Sequence, residues 1–263
     1  AFETMIGTIL SGLYNNMQIT PVDIAIIGQY AENVYFGKPC GLMDQMACSV
    51  GSLVHIDFAE PDTPAVTRVE FDFDIQGYSL CITDTKGSHA DLTSDYAAVP
   101  AEMKQVAAYF GKDYLCEITK EDLLSNIKEI RKQTNDRAVL RALHFFEENE
   151  RVQQEVNALQ SGNFQSFFNT VRASGDSSFK YLQNVYTNHD VAHQNVSVAL
   201  AISDTLLKEN GVSRVHGGGF AGTIQAFVQN TMVNEYQKAM DEIFGEAACN
   251  VLKIRKYGGM KVF

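Results

Sequence analysis

The stretch that decides the fold is Gly217-Gly218-Gly219-Phe220-Ala221-Gly222, followed directly by Thr223-Ile224-Gln225-Ala226-Phe227-Val228. The glycine run satisfies G-x-G-x-x-G, a pattern that opens a helix and binds a dinucleotide in Rossmann folds. Here the next residues alternate between polar and apolar, which predicts a strand where that fold needs a helix. We therefore expect a loop between two strands, in which missing side chains let the backbone approach a neighbour or a ligand closely.

Outward from this loop, the sequence groups strands early and late around a helical middle. Strands are predicted at 53–58 and 66–71, paired as a hairpin, and at 78–85 and 249–255. Helices are predicted over the first fifteen or so residues, from 120, over 136–159 and at 163–183, 190–209 and 232–244. Thr119 and Asp122 give a capping pattern for the helix that starts near Lys120. The fold class is therefore α+β.

Composition narrows the function classes. The formal net charge is −11, and nucleic-acid binding depends on clustered Lys and Arg, so we expect no nucleic-acid partner. No apolar run of about 18 residues exists that could span a bilayer, and we expect no membrane partner. The five cysteines have irregular spacing without a C-x-x-C, which is typical of reduced thiols and predicts a cytoplasmic protein.

The N-terminal helix pattern is already running at Ala1. A helix usually has a Ser, Thr, Asp or Asn cap before its first turn, and this sequence has none. We therefore expect preceding sequence to be missing, although a frayed natural terminus is the alternative.

Two further segments contain candidate site residues. In the first, Asp44 follows a Gly- and Pro-containing stretch, where it is either a helix cap or a partly buried carboxylate that orients a substrate hydroxyl. In the second, Ser94 or Asp95 is a candidate cap, and the hydroxyl of Tyr96 either packs at the helix start or lines a polar pocket. A zinc-motif imitation at 189–193 is weak, because Asp replaces Glu and no third ligand stands out.

These segments together resemble a galactokinase, a sugar kinase of the GHMP class. Residues 40–45 read Cys-Gly-Leu-Met-Asp-Gln and match the family motif C-G-[IL]-M-D-Q at every position. Residues 217–222 are similar to the family motif G-A-G-F-G-G, from which Gly218 and Ala221 depart. The family segment S-x-Y-N-x-R-R-x-E is similar to Ser94, Tyr96 and Glu102, and the resemblance runs over essentially the whole chain.

The resemblance implies an enzyme that transfers the γ-phosphoryl of ATP, with Mg²⁺, to the anomeric hydroxyl of galactose. It implies Asp44 as the catalytic carboxylate, with the backbone of Gly41 and the hydroxyl of Tyr96 also contacting the sugar. It assigns the nucleotide site to Gly217, Gly218, Gly219, Phe220 and Gly222.

The same resemblance implies two domains. Residues 1–75 correspond to a remnant of the GHMP kinase N-terminal domain, and residues 76–263 to the C-terminal domain, a ferredoxin-like β/α fold with extra helices. The family's phosphate loop and its R-x-x-G-E-H-x-D-Y segment are absent, so we expect this chain alone to be inactive. We also expect apolar surface to be exposed on the remnant, which favours self-association.

Three departures leave the sugar open. Ala97 replaces the family's Asn, Val99 and Pro100 replace its paired arginines, and Ala221 stands at a motif glycine, where a side chain requires a negative φ. The alternatives are a GHMP kinase for another sugar, such as N-acetylgalactosamine or arabinose, and a non-catalytic galactokinase-like sugar sensor.

Overall fold

The structure is a computed structural model, and it describes residues 1–37, 40–60, 63–88 and 92–262. The chain divides into two compact units, Ala1–Asp72 with Lys253–Phe263, and Phe73–Leu252. We expected residues 253–263 to belong to the second domain, whereas they group with the first unit. One local reason is a hydrogen bond in which the N–H of Ser52 donates to the carbonyl oxygen of Arg255 at 2.8 Å.

The first unit combines helices with the predicted hairpin. Its described elements are α1 (Phe2–Tyr14), α2 (Pro21–Tyr30), a π-helical turn (Ala31–Tyr35), α3 (Met43–Val50), β1 (Leu53–Asp57) and β2 (Ala65–Val69). The strands β1 and β2 pair antiparallel, as predicted. The core of the unit is formed by Ala25, Leu42, Met46 and Val50, on α2 and around α3.

Helix α1 packs through its polar face. Its buried residues are Thr4, Thr8 and Ser11. Its large apolar residues are exposed, among them Leu13 at 70% and Tyr14 at 83%. The predicted helix is therefore confirmed, and the apolar surface expected on this part of the chain is present.

The second unit contains most of the helices. They are α4 (Thr93–Tyr109), α5 (Lys120–Gln133), α6 (Asp136–Gln160), α7 (Phe164–Ser177), α8 (Asn195–Leu207) and α9 (Val233–Phe244), with a π-helical turn at Ser178–Leu182 and 3₁₀ turns at Leu115–Glu117 and Asn230–Met232. The cap at Thr119 is confirmed, because its hydroxyl accepts the N–H of Asp122 at 3.1 Å. Helix α8 begins at Asn195 and not at 190, because the carboxylate of Asp190 accepts the N–H groups of Ala192 and His193 in a competing turn.

A four-stranded antiparallel sheet organises this unit. Its strands are β3 (Tyr78–Asp84), β4 (Gly211–Val215), β5 (Thr223–Gln229) and β6 (Cys249–Leu252), in the order β4-β5-β3-β6. With α8 before β4 and α9 before β6, the chain follows the β-α-β-β-α-β path of a ferredoxin-like fold. Helices α4 to α7 are insertions between β3 and α8. The predicted α+β class and ferredoxin-like topology are confirmed.

The two faces of the sheet carry different cores. On β5, Ala226 and Val228 pack with Leu207, Tyr236 and Met240 of α8 and α9. Phe227 lies between them in sequence, and its ring centroid is 5.3 Å from that of Phe167 on α7. Because successive strand residues face opposite sides, α7 covers the face opposite to α8 and α9. Among the described helices, none is long and apolar enough to cross a membrane.

Candidate functional site

The motif around Asp44 lies at the start of α3. Asp44 is in the first helical turn, after the N-cap residue Leu42, and its side chain is exposed. The expected helix cap is therefore wrong, and so is the expectation of a partly buried acid. Among the described residues no hydrogen bond or ion pair to its carboxylate is found. Gly41 is also exposed, and a Cβ there would meet nothing within 4 Å.

The π-helical turn positions this motif, and the sequence pattern did not reveal it. The side chain of Asn33 brackets Cys40: its Oδ1 accepts the Cys40 N–H at 2.7 Å, and its Nδ2 donates to the Cys40 carbonyl oxygen at 3.3 Å. The Nε2 of Gln45 donates to Glu32 at 2.9 Å. A π-helical turn rotates the side chains that follow it, and such turns are frequent at functional sites. Lys38 and Pro39, which precede the motif, lie outside the described residues.

The glycine segment is the connection between β4 and β5, as predicted. Gly217, Gly219 and Gly222 have φ values of 69°, 81° and 89°, and Phe220 has 59°. No hydrogen bond within the described residues uses the N–H groups of Gly217, Gly218 or Gly219. Successive backbone N–H groups in a turn, or in alternating right- and left-handed conformations, form an anion-binding concavity of the type called a nest.

Three residues far away in sequence hold this loop. Asn184 accepts the Phe220 N–H through its backbone carbonyl at 2.5 Å and donates from Nδ2 to the Gly218 carbonyl oxygen at 3.2 Å. Thr85 donates its N–H and its hydroxyl to the Gly222 carbonyl oxygen, each at 2.8 Å. The hydroxyl of Tyr96 donates to the Gly219 carbonyl oxygen at 2.8 Å. Sequence reasoning missed Asn184, for which no motif exists.

Phe220 and Ala221 anchor the loop in a small apolar cluster with Leu92. The rings of Phe220 and Tyr96 meet edge to face, with centroids 5.3 Å apart. Phe220 has a positive φ, whereas Ala221 does not. The condition under which a side chain at position 221 is tolerated is therefore met.

Tyr96 lies in the first turns of α4, and burial raises the pKa of its hydroxyl. Its neighbour Asp95 does not cap the helix, as we had expected as one alternative. It is buried and accepts a hydrogen bond from the Thr187 hydroxyl at 2.8 Å. The start of α4 has no side-chain cap. The residues predicted for sugar and nucleotide therefore meet at Tyr96 and the glycine loop, whereas Asp44 and Gly41 belong to the first unit.

A buried ion cluster fixes the surroundings of this loop. Glu102 on α4 accepts from Arg137 at 2.6 Å and from Arg141 at 2.9 Å. The Arg141 side chain is 1% exposed, and its Nε donates to the carbonyl oxygen of Leu182 at 3.0 Å. The cluster thereby links α4 and α6 to the chain just before Asn184.

The amino-acid sequence is similar to those of galactokinases over most of its length. Galactokinase from Glaesserella parasuis is 28% identical over 242 residues, which cover 92% of this chain and 60% of that protein. The chain is a galactokinase homologue. Galactokinase from Thermotoga petrophila is 29% identical over 213 residues, covering 80% of this chain and 55% of its own length. The homologue thus spans about 60% or less of the length of these curated relatives. No family model matches it.

Solved structures give the same relationship at the level of the fold. Lactococcus lactis galactokinase, solved in complex with galactose, superposes on this galactokinase homologue with a TM-score of 0.75 at 23% identity, covering 98% of this chain and 65% of the other. L. major mevalonate kinase, solved in complex with R-mevalonate, gives a TM-score of 0.56 at 16% identity, covering 94% of this chain and 62% of the other. The fold is that of the GHMP kinases.

Proposed function

We propose that this homologue is part of an ATP-dependent sugar kinase that transfers the γ-phosphoryl of ATP to the anomeric hydroxyl of galactose. The observation that carries the proposal is the sequence relationship to galactokinases over 92% of the chain. In this proposal the first unit is a portion of the N-terminal kinase domain, and the second unit is the C-terminal domain.

The nucleotide contacts are proposed at Gly217, Gly218, Gly219, Phe220 and Gly222. The loop fits a phosphate group because three of its N–H groups have no acceptor among the described residues. Gly217 and Gly218 are exposed, and Gly217 has open space where a Cβ would stand. Backbone N–H groups can bind phosphate without net positive charge, which suits a chain with a formal charge of −11. When bound, ATP supplies the phosphoryl group.

Magnesium fits this chain less well. Among the described residues no three His, Cys, Asp or Glu side chains come together to hold a metal ion. Mg²⁺ in nucleotide sites is held by one or two carboxylates together with phosphate oxygens and water, so a preformed cage is not required. We therefore assign no residue of this chain to Mg²⁺, and the ion would arrive with the nucleotide.

The sugar contacts are proposed at Asp44, Gly41 and Tyr96. Asp44 is exposed, so its carboxylate is available to accept or orient the proton of a sugar hydroxyl. Phosphoryl transfer depends more on positioning and electrostatics than on covalent help. Tyr96 donates to Gly219, which ties the proposed sugar contact to the nucleotide loop.

The test is ADP release with ATP, Mg²⁺ and a panel of sugars led by galactose. It is run on the longest natural protein that contains this sequence and on this chain alone, with N-acetylgalactosamine and arabinose in the panel. We expect galactose-dependent turnover by the former and none by the latter. Turnover with another sugar alone would reassign the substrate, and saturable sugar binding without turnover would favour a sensor.

Asp44→Asn is the matching variant. We expect it to lower turnover by about 10² to 10⁴, the usual effect of losing a positioned base. Asp57→Asn is the control, since Asp57 is also exposed and, among the described residues, its carboxylate accepts a hydrogen bond from the N–H of Ala59 in a local turn. Near-normal turnover of Asp44→Asn would refute its catalytic assignment.

We further propose that a second copy of this chain covers the exposed face of α1 when the chain is studied alone. The face consists of Phe2, Met5, Ile6, Ile9, Leu10, Leu13 and Tyr14, which are 39% to 83% exposed. At roughly 150–200 Å² for each large apolar side chain, it offers on the order of 600–800 Å². A stable interface buries about 800 Å² per partner, so the dimer should be weak and concentration-dependent. A mass independent of concentration in light scattering would contradict this.

The remaining partners follow from the kinase proposal. They are a small sugar and ATP, with neither nucleic acid nor membrane as a partner. A cytoplasmic location is proposed from the irregular spacing of the five cysteines without a C-x-x-C, which is typical of a protein from a reducing compartment.

A further inference from the structure

Asn184 is a buried polar residue that no motif singles out. Its side chain is 4% exposed and lies directly after Gln183, which adopts a left-handed conformation with φ of 55°. Its carbonyl oxygen and its Nδ2 both bond to the glycine loop, at Phe220 and Gly218. A Cβ at Gly219 would overlap the Asn184 carbonyl oxygen. The loop and Asn184 are therefore packed so closely that neither can move independently.

The contacts of Asn184 select one conformation of the loop. They engage the carbonyl of Gly218 and the N–H of Phe220, on either side of the left-handed residue Gly219. The Gly218 carbonyl oxygen thus already accepts a hydrogen bond, and the Phe220 N–H already donates one. The N–H groups of Gly217, Gly218 and Gly219 are left without an acceptor among the described residues. An acceptor from outside the loop is the simplest way to satisfy them.

The chain just before Asn184 is held by the buried ion pair of Arg141 and Glu102. Arg141 bonds to the carbonyl of Leu182, two residues earlier, and is held by Glu102. Because a buried charged network tolerates little displacement, it restricts where the chain at 182–184 can lie. One atom of Asn184, the side-chain Oδ1, is buried without a hydrogen-bond partner among the described residues. An unpaired buried amide oxygen is costly, so a purely stabilising role does not account for the choice of Asn here.

We propose that Asn184 is a positioning residue that holds the glycine loop in its phosphate-accepting conformation. The inference rests on the proposed nucleotide role of the loop. Asn184 lies outside every motif identified in the sequence. Asn184 itself does not contact the nucleotide. It acts through the backbone of Gly218 and Phe220.

The first test needs no nucleotide. Amide hydrogen exchange of segment 216–222 is measured in this chain for wild type, Asn184→Ala and Asn184→Asp. The alanine removes the Nδ2 donor, and the aspartate keeps the shape but places a carboxylate oxygen against the Gly218 carbonyl. We expect both variants to speed exchange of the segment at least tenfold, while exchange in α5 stays unchanged. Unchanged exchange in the segment would overturn the proposal.

The second test measures function. ATP affinity is measured by calorimetry in the longest natural protein that contains this sequence, and we expect both Asn184 variants to weaken it at least tenfold. The control is Asn135→Ala, which removes the N-cap of α6 by deleting the acceptor of the Ala138 N–H and does not touch the loop. It should lower the melting temperature without changing ATP affinity.

The outcomes separate the two claims. Faster exchange with unchanged ATP affinity would make Asn184 merely structural and would overturn the inference. Wild-type protein that binds no ATP would refute the proposed function and the functional half of the inference, while faster exchange would still show that Asn184 holds the loop. If the Asn184 variants and Asn135→Ala weaken ATP affinity equally, the effect is general destabilisation, and this result also overturns the inference.

Discussion

Two glycines of the same loop should respond very differently to substitution by alanine. Gly217 and Gly219 both have positive φ, 69° and 81°, so either alanine incurs the left-handed penalty of roughly 1–2 kcal/mol. At Gly217 nothing lies within 4 Å of the added Cβ, so the cost ends there. At Gly219 the added Cβ would overlap the carbonyl oxygen of Asn184.

Relief of that overlap requires the loop and Asn184 to separate. The separation breaks the hydrogen bond from the Phe220 N–H to the Asn184 carbonyl and the one from its Nδ2 to Gly218. Each buried group left unpaired costs about 1–3 kcal/mol. We therefore expect Gly219→Ala to lower the free energy of unfolding by about 3–8 kcal/mol, against about 1–2 kcal/mol for Gly217→Ala.

The assay is urea unfolding followed by far-ultraviolet circular dichroism, with both variants and wild type measured side by side. A midpoint shift for Gly219→Ala that clearly exceeds the shift for Gly217→Ala is the expected result. Equal shifts for the two variants would refute the packing of the loop against Asn184, since the left-handed penalty is common to both.

Three other changes test the surroundings of the site. Glu102→Gln leaves the buried guanidinium of Arg141 without its counter-charge, and we expect a loss of about 3–5 kcal/mol in chemical unfolding. Thr119→Ala removes the cap of α5 and should cost about 1 kcal/mol in the same measurement, whereas Thr119→Ser should cost little. Burial lowers the pKa of His144 below its unfolded value, so the neutral ring stabilises the fold above that value and the contribution is lost as pH falls. Between pH 7.5 and 5.5, His144→Gln should therefore lose less stability than wild type, and parallel curves for the two proteins would contradict the assignment.

Local patterns in the sequence predicted most of the regular elements. The capping pattern at Thr119 placed the start of α5, and alternation after the glycines identified β5 as a strand. That second observation also excluded the dinucleotide fold, because the same glycines followed by a helix would have pointed to it. These signals work because they depend on residues adjacent in the chain.

Contacts between residues that are far apart in the sequence could not be predicted from local patterns. Asp95 reads as a cap, yet Thr187, 92 positions away, provides a partner inside the protein. The apolar stripe of α1 shows which face favours burial, but it does not show whether a partner is present, and the helix packs through Thr4, Thr8 and Ser11 instead. Asn184 reaches the loop across 34 residues, and no local pattern encodes such a contact.

In the candidate site, too, some features could be predicted from the sequence and others could not. The motif residues were found by their likeness to a known family, whereas the hydrogen bond from Tyr96 to the glycine loop was not predicted. The exposure of Asp44 was not foreseen, because burial depends on the packing of α3 and not on the residues that flank the acid in sequence.

The central claim is transfer of a phosphoryl group to the anomeric position of galactose. Phosphorus NMR of the longest natural protein that contains this sequence, incubated with ATP, Mg²⁺ and galactose, tests it most directly. The account predicts a sugar phosphate whose phosphorus couples to the anomeric proton and which forms in equal amount with ADP. Formation of ADP with inorganic phosphate alone, or of a phosphate ester at another hydroxyl, would contradict it.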